Sequence, residues 1–166
     1  MVFGTRQRMK RTGIRRATIA DKQVLGRLRA ALWPESSALE HELEAVPILE
    51  GSPPSTLPLV IFVADDTASA AQIVVGFIEV GLRSHADGCD PKQPVGFIEG
   101  WFVEPSHRGR GVGRALMRAA EAWALERGCI ELGSDTWIDS EGSIEAHRAL
   151  GFEIVDRCVN FRKRIG

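Results

Sequence analysis

Val95-Gly96-Phe97-Ile98-Glu99-Gly100-Trp101-Phe102-Val103 is followed by Glu104-Pro105-Ser106-His107, then by Arg108-Gly109-Arg110-Gly111-Val112-Gly113, and then by the run from Arg114 to Gly128. The first part is apolar, with β-branched and aromatic residues held between Pro94 and Pro105, which predicts a strand of a largely buried sheet. In the last part Val112, Ala115, Leu116, Ala119, Ala120 and Trp123 recur at the helical period, with Arg114, Arg118 and Glu121 between them. A helix with one buried stripe is expected there, ended by Gly128. The loop between strand and helix carries few side chains other than arginine. Amides of a helix's first turn have no intrahelical partner, and glycines let a ligand approach them closely. Arg108, Arg110 and Arg114 add positive charge, so a pocket for a phosphate or pyrophosphate is expected.

A dinucleotide fold requires G-x-G-x-x-G directly after a short first strand, and a P-loop requires G-x-x-x-x-G-K-[ST]; neither is present. Arg108-x-x-Gly111-x-Gly113, seated between a buried strand and an amphipathic helix, resembles the [Q/R]-x-x-G-x-[G/A] signature of the GCN5-related N-acetyltransferases, the GNAT superfamily. The resemblance implies that residues Arg108 to Arg114 hold the pyrophosphate of acetyl-CoA, the co-substrate, and that no metal is needed.

The 166 residues fit one domain with a full core, expected at 13–166, behind a mobile basic tail at 1–12 that carries Arg6, Arg8, Lys10 and Arg11. A net charge of −1 gives no reason to expect nucleic acid or a membrane as partner. Cys89, Cys129 and Cys158 are odd in number, show no C-x-x-C spacing, and read as reduced thiols of a cytoplasmic protein.

Along the chain, Gly13 to Ala17 reads as a strand, and Thr18 or Asp21 is placed to cap a helix whose apolar face ends at Pro34. A second helix is expected from about Ser37 to Glu50. Glu35, Glu40, Glu42, Glu44 and Glu50 make this region acidic, either as a solvated face or as a rim that attracts cations. Leu59 to Ala64 and Gln72 to Leu82 predict an antiparallel hairpin, and Arg83 to Pro94 a long loop of turn formers. Cys129 to Thr136 predicts a strand parallel to the central one, Asp139-Ser140 to Leu150 a short helix, and Phe152 to Arg157 and Cys158 to Arg164 two final strands. The fold class is α/β, in the broad sense that includes α+β. The order matches the GNAT fold: a mixed, mostly antiparallel sheet, split at its central strands and flanked by helices.

In the family resembled, the pantetheine arm lies in that split, where a bulge in the central strand helps the strands to part. Phe102 and Val103 would then supply backbone contacts to it, and the acetyl group would lie beside Trp101 and Glu99. An alkylammonium has a pKa of about 10, so a carboxylate must take its proton before it can attack a thioester. Glu99 and Asp135 are the acids whose places in the pattern put them at the cleft. A strand amide near Val103 would stabilise the oxyanion. Many acetyltransferases protonate the leaving thiolate with a tyrosine, and this chain has none. His147 is either a substitute that contacts CoA or a structural histidine.

Further segments narrow the resemblance: Leu32-Trp33-Pro34, Gly76 to Arg83 with Glu79, Asp87-Gly88-Cys89-Asp90, Pro94 to Gly100, Arg127 to Thr136, and His147 to Glu153. In order and spacing they are similar to the chromosomal-type aminoglycoside 6'-N-acetyltransferases. That likeness implies a polycationic aminoglycoside as acceptor, held by Trp33, Glu79, Glu99, Trp101 and Asp135. It also implies a homodimer whose C-terminal strands meet or exchange. Two positions depart from the family: Ala86 lies near the place of a loop aromatic, and Phe161 stands where tyrosine is usual. Another small amine or a protein N-terminus as acceptor, or a non-catalytic acetyl-CoA-binding module, are the alternatives.

Overall fold

The structure, a computed structural model, describes residues 12–54, 56–67 and 73–165. The expected basic tail lies outside these, save for Thr12, which opens the first strand. Strands β1 (Thr12–Arg16), β2 (Leu59–Asp66), β3 (Ile73–Arg83) and β4 (Val95–Val103) pair antiparallel in chain order, and β5 (Leu132–Ser134) joins β4 in parallel. Helices α1 (Lys22–Leu32) and α2 (Ala38–Leu49) cover one face. Helix α3 (Val112–Leu125) covers the other, and α4 (Glu141–Arg148) follows β5.

Sequence and fold agree where a local signal suffices. Ser37 caps α2 through a reciprocal box: its Oγ accepts from the Glu40 amide at 3.3 Å, while the Glu40 carboxylate accepts from the Ser37 amide at 2.7 Å. The buried stripe of α3 is the expected one, with Val112, Leu116, Ala120 and Trp123 against Ile78, Val80 and Ile98 of the sheet. Thr18 caps a short 3₁₀ turn at Ile19–Asp21 that precedes α1.

Asp21 does not cap α1. Its carboxylate turns back to accept the Thr18 amide at 2.8 Å and both terminal nitrogens of Arg15 at 2.7 Å, while Arg15 Nε reaches Asp65 at 2.7 Å. The Arg15 guanidinium holds the Asp21 carboxyl below the usual carboxylate range. A carboxyl depressed in the folded state adds stability above its unfolded pKa of about 3.9 and loses it as pH falls through the folded value. Asp21→Asn is therefore expected to lower stability at neutral pH and to flatten the acid limb of a urea-unfolding series. An unchanged limb would show that the pair carries no linkage.

Two expectations on strands are corrected. Of Cys129 to Thr136 only Leu132–Ser134 is laddered, because β4 offers just Gly96, Phe97 and Ile98 as partners before the strands part. Phe152 to Arg157 and Cys158 to Arg164 form no strands among the described residues, although their alternation is strand-like. Strand backbone needs a partner edge, and none of the five strands receives this segment. Ile154, Val155, Val159, Phe161 and Ile165 are left exposed, Phe161 at 92%.

Candidate active site

The β3–β4 ladder runs Val80 opposite Ile98 and Glu79 opposite Gly100, which leaves Glu99 as an extra residue on β4. This is a bulge, and it breaks the strict alternation of faces. Ile98, Trp101 and Val103 pack toward α3, and Phe102 packs toward α1 and α2. Gly100 meets the Trp33 ring on that second side, and the Glu99 carboxylate lies over Gly81 on the same side. Parallel pairing with β5 ends at Ile98 opposite Ser134. Glu99 and Asp135 are thus the first residues past the last rung on each strand, and they flank the opening. Beyond it, Trp101, Phe102 and Val103 have no strand on their β5 side among the described residues.

At the far end of that edge the chain passes a 3₁₀ turn at Pro105–His107 and enters the loop before α3. Gly109 and Gly111 have φ of +70° and +82°, and Gly111 is the N-cap of α3 with no side-chain cap. The amides of the first turn therefore face out without a capping group. A Cβ at Gly109 or Gly111 would meet nothing within 4 Å, so the approach is open. At Gly113 a Cβ would come within 2.7 Å of the Trp101 ring, so here glycine lets the helix start sit on β4. Arg110 is exposed, and Arg108 donates from Nε to the Val103 carbonyl at 2.9 Å, with its guanidinium 5.5 Å from the centre of the Phe102 ring. Arg114 donates to the Ala149 carbonyl at 3.1 Å, tying α3 to the end of α4. Uncapped amides, an open glycine cradle and an unpaired strand edge suit a pyrophosphate followed by an extended amide-bearing arm, as acetyl-CoA has. Val112 can contribute only backbone, because its side chain is core.

The acids divide. Asp135 is exposed, with no side-chain partner among the described residues. Glu99 is held by both oxygens: Arg83 donates from Nε at 3.0 Å and from Nη2 at 2.6 Å. Arg83 lies 3.4 Å from the centre of the Phe97 ring. Reading the sequence missed Arg83 as a site residue, although its spacing from Glu79 and Gly81 on one strand was a signal that they share a face.

Glu79, expected to meet the acceptor, is a correction. It is 4% exposed and paired with Arg29 Nη1 beneath α1. Burial pushes its carboxyl above the ordinary range, and the Arg29 charge pulls the other way. Trp101, expected beside Glu99 at the acetyl group, is another. The bulge turns the two to opposite faces, and Trp101 lies under the α3 start with its buried Nε1 unpartnered. Trp33 does sit by Glu99's neighbour Gly100, held by Phe77, His41 and the Arg29 guanidinium. Three of the five acids at 35–50 have partners: Glu40 in the α2 cap, Glu42 with Lys22 at 3.2 Å, and Glu44 with Arg29 at 3.1 Å. The solvated-face reading fits this region better than a free acidic rim.

His147 has both ring nitrogens engaged. Nδ1 is 2.7 Å from the Ser143 carbonyl and so carries the proton, which leaves Nε2 to accept from Ser134 Oγ at 2.9 Å. Its ring meets Trp101 edge-on at 5.5 Å, linking α4, β5 and β4. Burial raises the thiols of Cys89 and Cys129, which disfavours the nucleophilic thiolate. No group of His, Cys, Asp and Glu among the described residues is placed to hold a metal ion.

The sequence profile of the Acetyltransferase (GNAT) family matches residues 25–152. The chain belongs to the GNAT acetyltransferase family. Within it, an aminoglycoside N(6')-acetyltransferase type 1 from Stenotrophomonas maltophilia is 41% identical over 90% of this chain and 91% of its own. A solved aminoglycoside N-acetyltransferase in complex with CoA superposes with a TM-score of 0.82 at 33% identity, over 97% of this chain and all of that one. Another, bound to a bisubstrate analogue that joins CoA to acetylneamine, has a TM-score of 0.79 at 34% identity, over 93% of this chain and 99% of that one. Acetyl-CoA is the acetyl donor of this GNAT acetyltransferase.

Proposed function

We propose that this GNAT acetyltransferase transfers the acetyl group of acetyl-CoA to the 6'-amine of an aminoglycoside, by direct attack of the amine. The observation that carries the reading is the placement of Glu99 and Asp135, one on each strand, one step past the last β4–β5 rung. They stand at the mouth of a cleft whose other end is the uncapped start of α3. The first-turn amides with Arg110 and Arg108 hold the diphosphate, and the free edge at Phe102 and Val103 takes the arm. Acetyl-CoA supplies an activated acyl group on a good leaving thiolate. The two carboxylates draw in the polycation and accept the proton of its reacting ammonium, directly or through water. Trp33 forms the apolar wall beside Glu99. His147, a positioning residue in this reading, fixes the end of β5 from which Asp135 projects. The relatives' names and the bisubstrate complex support the acceptor class.

Thiol release from acetyl-CoA, measured over 6'-amino aminoglycosides, polyamines, amino sugars and peptide N-termini, tests the acceptor. Turnover is expected with 6'-amino aminoglycosides and is expected to vanish when that amine is replaced by hydroxyl. Turnover with another amine alone would overturn the acceptor and leave the donor standing. Replacing Cys89, Cys129 or Cys158 by serine leaves turnover largely intact if no acyl-enzyme forms.

The same reading includes a cytoplasmic homodimer, with 13–166 acting as one domain and neither nucleic acid nor membrane as partner. No helix of the described residues is long and apolar enough to cross a membrane. The apolar residues exposed along 152–165, in a sequence with strand alternation, support pairing of this segment with a second copy. A dimeric mass by light scattering is expected, falling to that of a monomer in Phe161→Glu. A monomeric mass for the unaltered protein at high concentration would overturn it.

A further inference from the structure

We infer that Arg83 is the positioning residue for Glu99, holding the bulge carboxylate in its working orientation while sparing the lone pairs that face the cleft. The inference rests on Glu99 being the proton acceptor of the proposed reaction.

Glu99 lies on a bulge, with no residue of β3 paired opposite it in the ladder, and its side chain is about a third exposed. A glutamate so placed samples several rotamers, and fixing one costs conformational entropy. Here that orientation is set before any acceptor arrives. The planar fork of Arg83 engages both carboxylate oxygens, a geometry that an ammonium cannot copy. Arg83 is itself fixed at the end of β3, opposite Val95, with its guanidinium on the Phe97 ring. The carboxylate lies over Gly81, between Glu79 and Arg83, its Oε1 3.5 Å from where a Cβ would stand, an ordinary packing distance. Two oxygens carry about four lone-pair sites, so a bidentate arginine leaves two for a substrate cation.

The charge of Arg83 has a second consequence. With it in place Glu99 is a neutralised pair, and the cationic acceptor meets a positive neighbour. Removing the guanidinium should leave the carboxylate more attractive to the acceptor but less well aimed. A purely structural role would instead weaken binding and turnover together.

Steady-state kinetics of Arg83→Gln, Arg83→Lys, Glu99→Gln and Arg83→Gln with Glu99→Gln, using a 6'-amino aminoglycoside, test this. Arg83→Gln is expected to lower kcat about tenfold, within the range that small misplacements of a reacting group produce. Its KM for the acceptor stays level or falls, and its KM for acetyl-CoA is unchanged. Arg83→Lys, which keeps the charge and loses the fork, should give an intermediate kcat with an unaltered acceptor KM. In the Glu99→Gln background, Arg83→Gln should lower kcat no further. Full kcat in Arg83→Gln beside an impaired Glu99→Gln would overturn the role of Arg83 alone. So would multiplying effects in the double variant, or a raised acceptor KM with lost thermal stability. Full kcat in Glu99→Gln would overturn the proton-acceptor reading and this inference together.

Discussion

Glu99→Gln combined with Asp135→Asn is expected to lower kcat/KM for a 6'-amino aminoglycoside by about 10² or more, the usual worth of a positioned base. The loss should appear with little change in CoA affinity, because neither acid lies in the loop at 108–113. The single variants should differ in kind. Asp135 is exposed and has no side-chain partner among the described residues, so its amide leaves no counter-ion stranded. Glu99→Gln also leaves Arg83 without its counter-ion, which adds a charge hostile to a polycation. The acceptor KM should accordingly rise more in Glu99→Gln than in Asp135→Asn. Stopped assays of thiol release and of acetylated product check both numbers. Full activity in the double variant would remove the two acids from the chemistry.

Gly111→Val should raise the Kd for CoA about 10²-fold or more while leaving the domain folded. Two first-turn amides lost from a charged ligand are worth about 1.5–3 kcal/mol each, and about 1.4 kcal/mol is a factor of ten. The folded state tolerates the change because a Cβ at Gly111 meets nothing within 4 Å; the cost is the left-handed backbone at φ +82°, about 1–2 kcal/mol. Gly113 is a poorer probe. A side chain there meets Trp101 at 2.7 Å, so lost binding would be mixed with displacement of α3 from β4. Calorimetric titration with CoA and thermal unfolding of Gly111→Val separate the two effects, and unchanged affinity would remove the phosphate role of the loop.

Features that depend on neighbours within a turn or a strand were legible in the residues alone. The apolar run at 95–103, the stripe on Val112 to Trp123, the bare loop between them and the Ser37 to Glu40 cap are local patterns. Each is written in residues fewer than about five apart, the range over which helix faces, caps and strand alternation operate. The order of elements from β1 to α4 and the places of Glu99 and Asp135 on adjacent strand ends followed from them. Tertiary structure alone decided how the acids are presented. The resemblance implied a bulge somewhere in the central strand, but its seat at Glu99 cannot be read from a run apolar on both faces, so the separation of Trp101 from Glu99 was hidden. Arg83 meets Glu99 across 16 residues and Arg29 meets Glu79 across 50. Whether a carboxylate faces a cleft or a buried guanidinium depends on which strand lies beside it, and spacing along the chain does not encode that. The segment 152–165 shows the converse. Its alternation is strand-like, but a strand exists only where another edge completes its hydrogen bonds, and no edge of this sheet does so.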